Sequence, residues 1–174
     1  MMTTMNNELN MVLCGDMRLR EKCAPVEQIT TQLRDVLDKM VRMMGEQNGV
    51  GLAAPQVGIL SRFLVMMDPD TNTVYKMLNP KIISHSTDVC DMEEGCLSVL
   101  GADNLPVFSH VTRPASVVVE WMDETGATHT AQMSGVPARI VQHETDHLDG
   151  ILFIDHLSPV RREMVMRKVR RRKK

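Results

Sequence analysis

The sequence predicts an α+β fold, with antiparallel sheets packed around a central helix and a further helix towards each end of the chain. Helix-spaced apolar residues occur early and late, whereas the middle of the chain contains short β-rich runs and a hairpin signal. This order of helix, strands and helices differs from the regular alternation of an α/β fold. With 174 residues, 43% of them hydrophobic, we expect one domain over residues 1–174.

The first predicted element is an amphipathic helix. Thr30 or Thr31 can accept a hydrogen bond from a free N–H group at its start, and Gly45 is expected to end it. Its apolar residues recur at intervals of three and four, which places them on one face: Ile29, Leu33, Val36, Leu37, Met40, Val41 and Met44.

Short strands are predicted next. Residues 62–68 and 74–79 are rich in β-forming residues, and Pro80 is expected to end the second run because proline cannot donate to a sheet ladder. Residues 116–123 and 127–133 form two more β-rich runs. Three residues that end in glycine separate these runs, which indicates a hairpin.

Two further helices complete the prediction. The first runs from about Pro137 to Leu148, because proline suits a first helical turn and Gly150 lies just beyond the end. The last begins near Ser158 and continues into a basic C-terminal tail, residues 161–174, within a chain of net charge −2. Such a tail suits a polyanionic surface such as ribosomal RNA, or serves only as a solubilising helix end.

Composition excludes several classes of protein. No stretch approaches 18 apolar residues, and the first twenty residues lack the features of a signal peptide. We therefore expect a soluble protein of the bacterial cytoplasm, or of an organellar matrix or stroma in a eukaryote. Free thiols or metal ligands are expected in place of disulfides at the four cysteines, Cys14, Cys23, Cys90 and Cys96.

The second predicted helix contains an H-E-x-x-H motif. His143 and His147 lie one turn apart, so both imidazoles project from one face and can bind one metal ion. Glu144 lies beside them, where it can exchange protons with water. Val136 and Ile140 continue the same face as an apolar pocket wall. The alternative is a pair of ordinary buried histidines.

A catalytic site of this kind needs a third protein ligand and one open position. The downstream positions are poor, because Phe153 occupies the place of the third metzincin histidine and Glu163 lies in the basic terminal helix. The third ligand is therefore expected upstream. Cys96 is the best candidate, since the glycine before it permits an unusual backbone, and Cys90 is its rival.

A glycine-rich segment, residues 49–58, follows the first helix. Its glycines indicate close approach of the backbone to a ligand or to another part of the chain, although a tight turn explains them too. It lacks the lysine and hydroxyl residue of a phosphate-binding loop.

Together, residues 49–56, 94–98 and 142–147 resemble the three signature motifs of peptide deformylase, and the similarity covers most of the chain. That family removes the formyl group from the N-formylmethionine of nascent proteins. The resemblance implies Glu144 as the general base and then the acid. It also implies one divalent metal ion, natively Fe(II) with zinc, nickel or cobalt able to replace it, bound by Cys96, His143 and His147.

The resemblance further implies how substrate is held. The Gln56 amide and the Leu97 backbone N–H would bind the developing oxyanion, and the backbone of Gly51 would hydrogen-bond the peptide. The apolar residues expected around the methionine side chain are Val50, Met92, Val136 and Ile140. The expected partners are N-formylmethionyl peptides and, through the basic tail, the ribosome. We expect neither DNA nor a membrane as a partner.

Two other functions stay open from the residues alone: a zincin-type metallopeptidase, and a ribosome- or RNA-binding protein that uses its tail. The chain also departs from the family. Leu100 stands where proline is usual, and residues 101–110 form a longer segment than is typical. Both changes are expected at the pocket rim, where they would alter substrate preference and leave the metal chemistry intact.

The remaining charged residues and histidines discussed here are not expected to take part in catalysis. Asp146 is expected to face away from the ligands and to pair with Arg113, and Glu94 is expected to be structural. Four histidines outside the motifs are expected to be non-catalytic: His85, His110, His129 and His156.

Overall fold

The computed structural model describes residues 8–172 and has the predicted α+β architecture. Within that range three α-helices occur: α1 (Thr31–Glu46), α2 (Gly135–Leu148) and α3 (Pro159–Arg170). The strands are β1 (Gly51–Ala53), β2 (Phe63–Met67), β3 (Val74–His85), β4 (Val89–Glu94), β5 (Ser109–Pro114), β6 (Ser116–Met122) and β7 (Thr128–Ser134).

The strands form two antiparallel sheets. The larger has the order β1-β2-β3-β6-β7, and the smaller pairs β4 with β5. Strand β2 is covered on both faces, because Leu64 and Met66 pack in one apolar cluster with α2, whereas Phe63 and Val65 pack in another with α1. Alternate side chains of a strand point to opposite faces. The two helices therefore lie on opposite sides of the larger sheet.

Helix α2 also contacts the smaller sheet through its polar face. Arg139 donates hydrogen bonds to the backbone oxygens of Cys90 in β4 and Val111 in β5, at 2.6 and 2.8 Å. Behind β5, a third apolar cluster joins the loop after β4 to Phe153 and to Val165 of α3. The central helix thus presents an apolar face to one sheet and a polar face to the other, as the fold class requires.

The predicted cap of α1 is confirmed at Thr30, and the start of α3 has a cap that was not predicted. Thr30 accepts a hydrogen bond from the backbone N–H of Leu33 at 3.1 Å, and Ser158 accepts one from that of Arg161 at 3.4 Å. The predicted hairpin is present as β6 and β7. Two boundaries differ, since α1 continues one residue beyond Gly45 and α2 begins at Gly135, before the expected start.

The prediction that Pro80 ends a strand is wrong, because β3 continues to His85. The register with β6 shifts between Leu78 and Lys81, so the pairing is irregular at the proline. Asn79 adopts a positive φ of 50° there. Such an irregularity accommodates a residue that lacks an N–H group.

Strands β1, β4 and β5 were not predicted. All four cysteines are free thiols. No helix within residues 8–172 is long and apolar enough to cross a membrane. The final two residues of the basic tail, Lys173 and Lys174, lie outside the described residues.

Asn79 fixes the segment before α1 to the sheet. Its Oδ1 accepts a hydrogen bond from the N–H of Val26 at 2.8 Å, and its Nδ2 donates to the Val26 oxygen at 2.9 Å. We expect Asn79→Ala to lower the free energy of unfolding by about 2–3 kcal/mol, because two hydrogen bonds and the tolerance of asparagine for positive φ are lost.

The matched control is Asn72→Ala, at an exposed position with a φ of 57°. It should cost about 1 kcal/mol or less, since the change removes chiefly the tolerance for positive φ. Urea unfolding of both variants measures the difference. Equal losses of stability would contradict the role assigned to the Val26 contacts.

Candidate active site

Helix α2 and the loop after β4 bring together the three candidate metal ligands. Cys96, His143 and His147 are all buried, and their ligand atoms lie within 4.8 Å of one another. The Cys96 Sγ is 3.3 Å from the His147 Nε2, and the two imidazole ring centroids are 5.0 Å apart. A thiolate and two imidazoles are ligands that suit zinc and iron. The rival Cys90 lies in β4 and contributes its backbone oxygen to Arg139.

A buried carboxylate orients one of these imidazoles. The Nδ1 of His143 donates to Glu94 Oε2 at 2.9 Å, which leaves its Nε2 as the nitrogen available to a metal. Glu94 also accepts from Arg113 Nε at 2.6 Å and from Arg139 Nη1 at 2.7 Å. Burial alone would raise the pKa of Glu94, but the hydrogen bonds from His143 and Arg113 hold that pKa below its ordinary value.

The polar network continues from Glu94 to the surface. Arg113 donates to Asp146 Oδ2 at 2.7 Å, which confirms the predicted pair. The same oxygen lies 2.7 Å from the Nε2 of His156, whose side chain is partly exposed. Glu94 is therefore structural, as expected, and in addition it fixes the ring of a candidate metal ligand.

Gln56 lies against the metal cluster with a defined orientation. The backbone N–H of Ala53 donates to its Oε1 at 2.8 Å, so the amide nitrogen must face the other way. That Nε2 lies 3.5 Å from Cys96 Sγ and 3.1 Å from Ser98 Oγ. The Gln56 amide thus presents an N–H donor beside the candidate ligands.

Glu144 is enclosed between α2 and β1. A Cβ atom built on Gly51 would lie 2.8 Å from the Glu144 Cδ, closer than side chains approach, so any larger residue at this position would have to displace the Glu144 side chain. Burial raises the pKa of Glu144 to about 7. Among the described residues, three buried side-chain polar atoms lack a hydrogen-bond partner, and all belong to the H-E-x-x-H segment: Glu144 Oε2, Thr145 Oγ1 and His147 Nδ1. Unpaired buried polar atoms are rare and indicate a functional site.

The candidate residues line one cavity of about 450 Å³. Cys96, His143 and Glu144 form part of its wall, together with Gln56 and Leu97. The predicted substrate residues line it too: Val50, Gly51, Met92, Val136 and Ile140. The structure therefore brings together every residue to which the sequence analysis assigned a metal-binding, catalytic or substrate-binding role, with His147 joining through its contact to Cys96.

Sequence reasoning missed Arg139, and within residues 101–110, which it expected at the pocket rim, it did not identify the side chains that face the cavity. Arg139 lines it, four residues before His143 on the same helical face, so helical spacing could have revealed it. Leu105, Pro106 and Phe108 also line it. They belong to the long segment after Cys96, in which no apolar periodicity indicates which residues face the site.

Comparison with known proteins agrees with this geometry. Residues 8–163 match the sequence model of a family described as polypeptide deformylase. The chain belongs to that family. Its relatives in the polypeptide deformylase family include the peptide deformylase of Afipia carboxidovorans, 40% identical over 156 residues and 88% of each chain. The peptide deformylase of Hydrogenovibrio crunogenus is 38% identical over 166 residues and 95% of each chain.

Solved structures of the family superpose closely on this chain. A peptide deformylase from Legionella pneumophila has a TM-score of 0.84 and 37% identity, with 93% of each chain covered. The Ehrlichia chaffeensis peptide deformylase in complex with actinonin has a TM-score of 0.86 and 35% identity, covering 93% of this chain and 95% of its own. The resemblance inferred from the three motifs is confirmed, and the zincin alternative is not favoured.

Gly51 provides a direct test of how the site is packed. We expect Gly51→Ala to lower turnover of a formylated peptide at least about 100-fold, because the new methyl group displaces the Glu144 carboxylate. Metal content should stay at the wild-type level, since the change does not touch the ligands. Formate release and elemental analysis measure the two effects.

Gly45→Ala is the matched control, because a Cβ at that position of α1 meets no atom within 4 Å. It should leave turnover unchanged. If Gly51→Ala were as active as Gly45→Ala, Glu144 would not be held where the structure has it.

Proposed function

We propose that this chain is a peptide deformylase that hydrolyses N-formylmethionyl peptides to formate and a free amine. The observation that carries the proposal is a single cavity that joins the Cys96, His143 and His147 cluster to an enclosed carboxylate and an apolar pocket. Membership of the polypeptide deformylase family supports it.

Cys96, His143 and His147 would hold one divalent ion, and we propose Fe(II) as the native metal, with zinc, nickel or cobalt able to take its place. The bound ion would supply hydroxide at neutral pH and polarise the formyl carbonyl. The Glu94 carboxylate fixes the His143 ring for that role through its 2.9 Å hydrogen bond.

Glu144 is the proposed proton carrier. It would take a proton from the attacking water and then return that proton to the departing amine. Both transfers would therefore occur at the same carboxylate. Its place in the cavity wall and its unpaired Oε2 support this assignment. The absence of a side chain at Gly51 leaves the space that this carboxylate occupies.

Negative charge develops on the formyl oxygen during attack. We propose that the Gln56 side-chain amide and the Leu97 backbone N–H donate to that oxygen. The hydrogen bond from Ala53 preorganises Gln56 before substrate arrives, and a preorganised donor contributes about 3–4 kcal/mol to stabilising such a charge.

The methionine side chain would occupy the apolar part of the cavity, where burial contributes about 1.5–3 kcal/mol. Ile140 is buried, and Gly51 would bind the peptide through its backbone. The other proposed wall residues are Val50, Met92 and Val136.

The basic end of the chain is the proposed ribosome contact. Arg167, Lys168 and Arg170 lie in the last turn of α3, where positive charge favours RNA phosphates. Such an enzyme would act where proteins are made, in a bacterial cytoplasm or in the matrix or stroma of an organelle.

A formate-release assay tests the proposal. The metallated chain should convert N-formyl-Met-Ala to formate and Met-Ala, and it should leave internal peptide bonds of longer unformylated peptides intact. Glu144→Gln should keep its metal and lose about 100- to 10,000-fold in turnover, because the proton carrier is gone.

Glu163→Gln is the matched control, since Glu163 lies on exposed α3 and pairs with Arg170. It should behave as wild type. Cleavage of internal bonds without formate would indicate a zincin-type peptidase, and full activity of Glu144→Gln would exclude Glu144 as the proton carrier.

A further inference from the structure

A short 3₁₀ turn, Phe153–His156, lies against the helix that carries two of the candidate ligands. A 3₁₀ helix has about three residues per turn, so its first and fourth side chains point to the same side. Here these are Phe153 and His156. On α2, His143 and Asp146 are also three residues apart, which places them on one face. We call the 3₁₀ turn the brace turn, because it can meet α2 at both residues.

The brace turn makes both contacts with α2. The Phe153 ring packs against the His143 imidazole, with ring centroids 6.1 Å apart and an interplanar angle of 23°, a distance typical of favourable aromatic pairs. The His156 Nε2 lies 2.7 Å from Asp146 Oδ2. Because a carboxylate only accepts hydrogen bonds, this Nε2 carries a proton and donates to the carboxylate. One contact therefore supports a candidate ligand directly, and the other reaches a carboxylate one turn further along α2.

Asp155 holds the brace turn in place. Its Oδ2 accepts a hydrogen bond from the N–H of Leu152 at 2.8 Å. The same carboxylate pairs with Arg20 of the N-terminal segment and, at 3.3 Å, with Arg162 of α3. Because three other points of the chain meet at this side chain, the turn keeps its position without the His156 contact. A change of His156 therefore tests that contact and not the turn.

The Asp146 carboxylate joins His156 to a buried arginine. Asp146 Oδ2 accepts from Arg113 Nη1 at 2.7 Å, and it is the same oxygen that His156 reaches. The two donor nitrogens lie 3.5 Å apart. Since neither is an acceptor in this arrangement, they share the carboxylate and do not bond each other. Arg113 in turn donates to both oxygens of Glu94, at 2.6 and 3.1 Å, and Glu94 is the link from this arginine to the His143 Nδ1.

Asp146 is the most exposed of the four charges in this network. Its side chain is 22% exposed, whereas those of Glu94, Arg113 and Arg139 are between 3% and 7% exposed. A carboxylate at the surface can turn towards water unless a donor holds it, and Arg113 would then keep one carboxylate partner instead of two. A buried arginine that loses a partner is left undercompensated. Glu94 would therefore shift towards Arg113 and away from the His143 ring.

We propose that His156 is a positioning residue of the metal centre. Its hydrogen bond fixes the Asp146 carboxylate, which holds Arg113 in place against Glu94. Glu94 then keeps the His143 Nδ1 as its donor, which leaves the Nε2 of that ring for the ion. The inference rests on the proposed function, because it takes the three candidate ligands as a metal centre. Outer partners of this kind change metal affinity without contacting the metal.

Two substitutions of His156 separate its donor from its ring. His156→Phe keeps an aromatic ring and removes the N–H, whereas His156→Gln keeps an N–H donor of similar reach and removes the ring. We expect His156→Phe to weaken zinc binding about tenfold, at the lower end of the range for outer partners of metal ligands. His156→Gln should stay within about twofold of wild type, because the hydrogen bond to the carboxylate is retained. Competition with a chromophoric chelator measures the zinc dissociation constants.

His85→Phe is the matched control. His85 is exposed at the end of β3, where its Nδ1 lies 3.3 Å from the Ser86 oxygen, and the same change there should leave zinc affinity unchanged. The urea midpoints of the zinc-free histidine variants should match wild type, since Asp155 holds the brace turn. The KM of the zinc-loaded enzyme for N-formyl-Met-Ala should also be unchanged, because His156 is not among the residues that line the substrate cavity.

A double substitution tests the route through Asp146. Asp146→Ala removes the carboxylate and should weaken zinc binding at least as much as His156→Phe does. In that background His156→Phe should add no more than about a twofold loss, because the effects of two residues in one hydrogen-bond network are not additive.

A zinc affinity of His156→Phe equal to that of His85→Phe would overturn the inference. So would equal losses in His156→Phe and His156→Gln, or a further loss of about tenfold in the double variant, since the donor or the route would then be wrong. A fall in the urea midpoint that parallels the loss of affinity would indicate a merely structural role, and a raised KM would place the effect in the cavity; either result contradicts the inference. Absence of formate release by the zinc-loaded wild type would overturn the proposed function and leave the zinc comparison readable.

Discussion

The structure depends on one buried carboxylate. Glu94 has a side chain that is 3% exposed, and it is surrounded by Arg113 and Arg139, which are almost as deeply buried. Taking three charges out of water is costly unless each one is paired, and removal of one partner leaves the others uncompensated. The end of β4, strand β5 and helix α2 must therefore keep their relative positions. The same carboxylate holds the His143 ring.

Helix α2 positions the candidate metal ligands because it has an apolar face and a polar face. Ile140, Val141 and Leu148 pack against the larger sheet, whereas Arg139 and His143 face Glu94 and the smaller sheet. The candidate metal ligands lie where these faces meet. Gly51 and Gln56 approach from the segment after α1, so the site is closed by parts of the chain that are far apart in sequence but are held by the same helix.

The sequence predicts those features that local spacing determines. The positions of His143 and His147 follow from the helical repeat, and the cap at Thr30 follows from side-chain chemistry next to a helix start. The residues alone favoured Cys96 with Cys90 as its rival, and the family resemblance implied Cys96.

Features that depend on distant contacts could not be predicted in this way. Strand β4 is mostly exposed or half-buried, so it lacks a clear apolar alternation, and its end at Glu94 is fixed by Arg113 and Arg139, 19 and 45 residues away. Local sequence preferences predict that Pro80 ends a strand, because proline lacks an N–H group. In the structure a shift in the register with β6 keeps Pro80 within β3. Phe108 reaches the cavity because Gly95 leaves room for its ring.

The central claim is that this network delivers one thiolate and two imidazoles to a single ion. X-ray absorption at the metal edge of the zinc-loaded chain tests it most directly. The account predicts one sulfur neighbour at about 2.3 Å and two imidazole nitrogens at about 2.0–2.1 Å. A fully metallated protein with no sulfur neighbour, or with two, would contradict it.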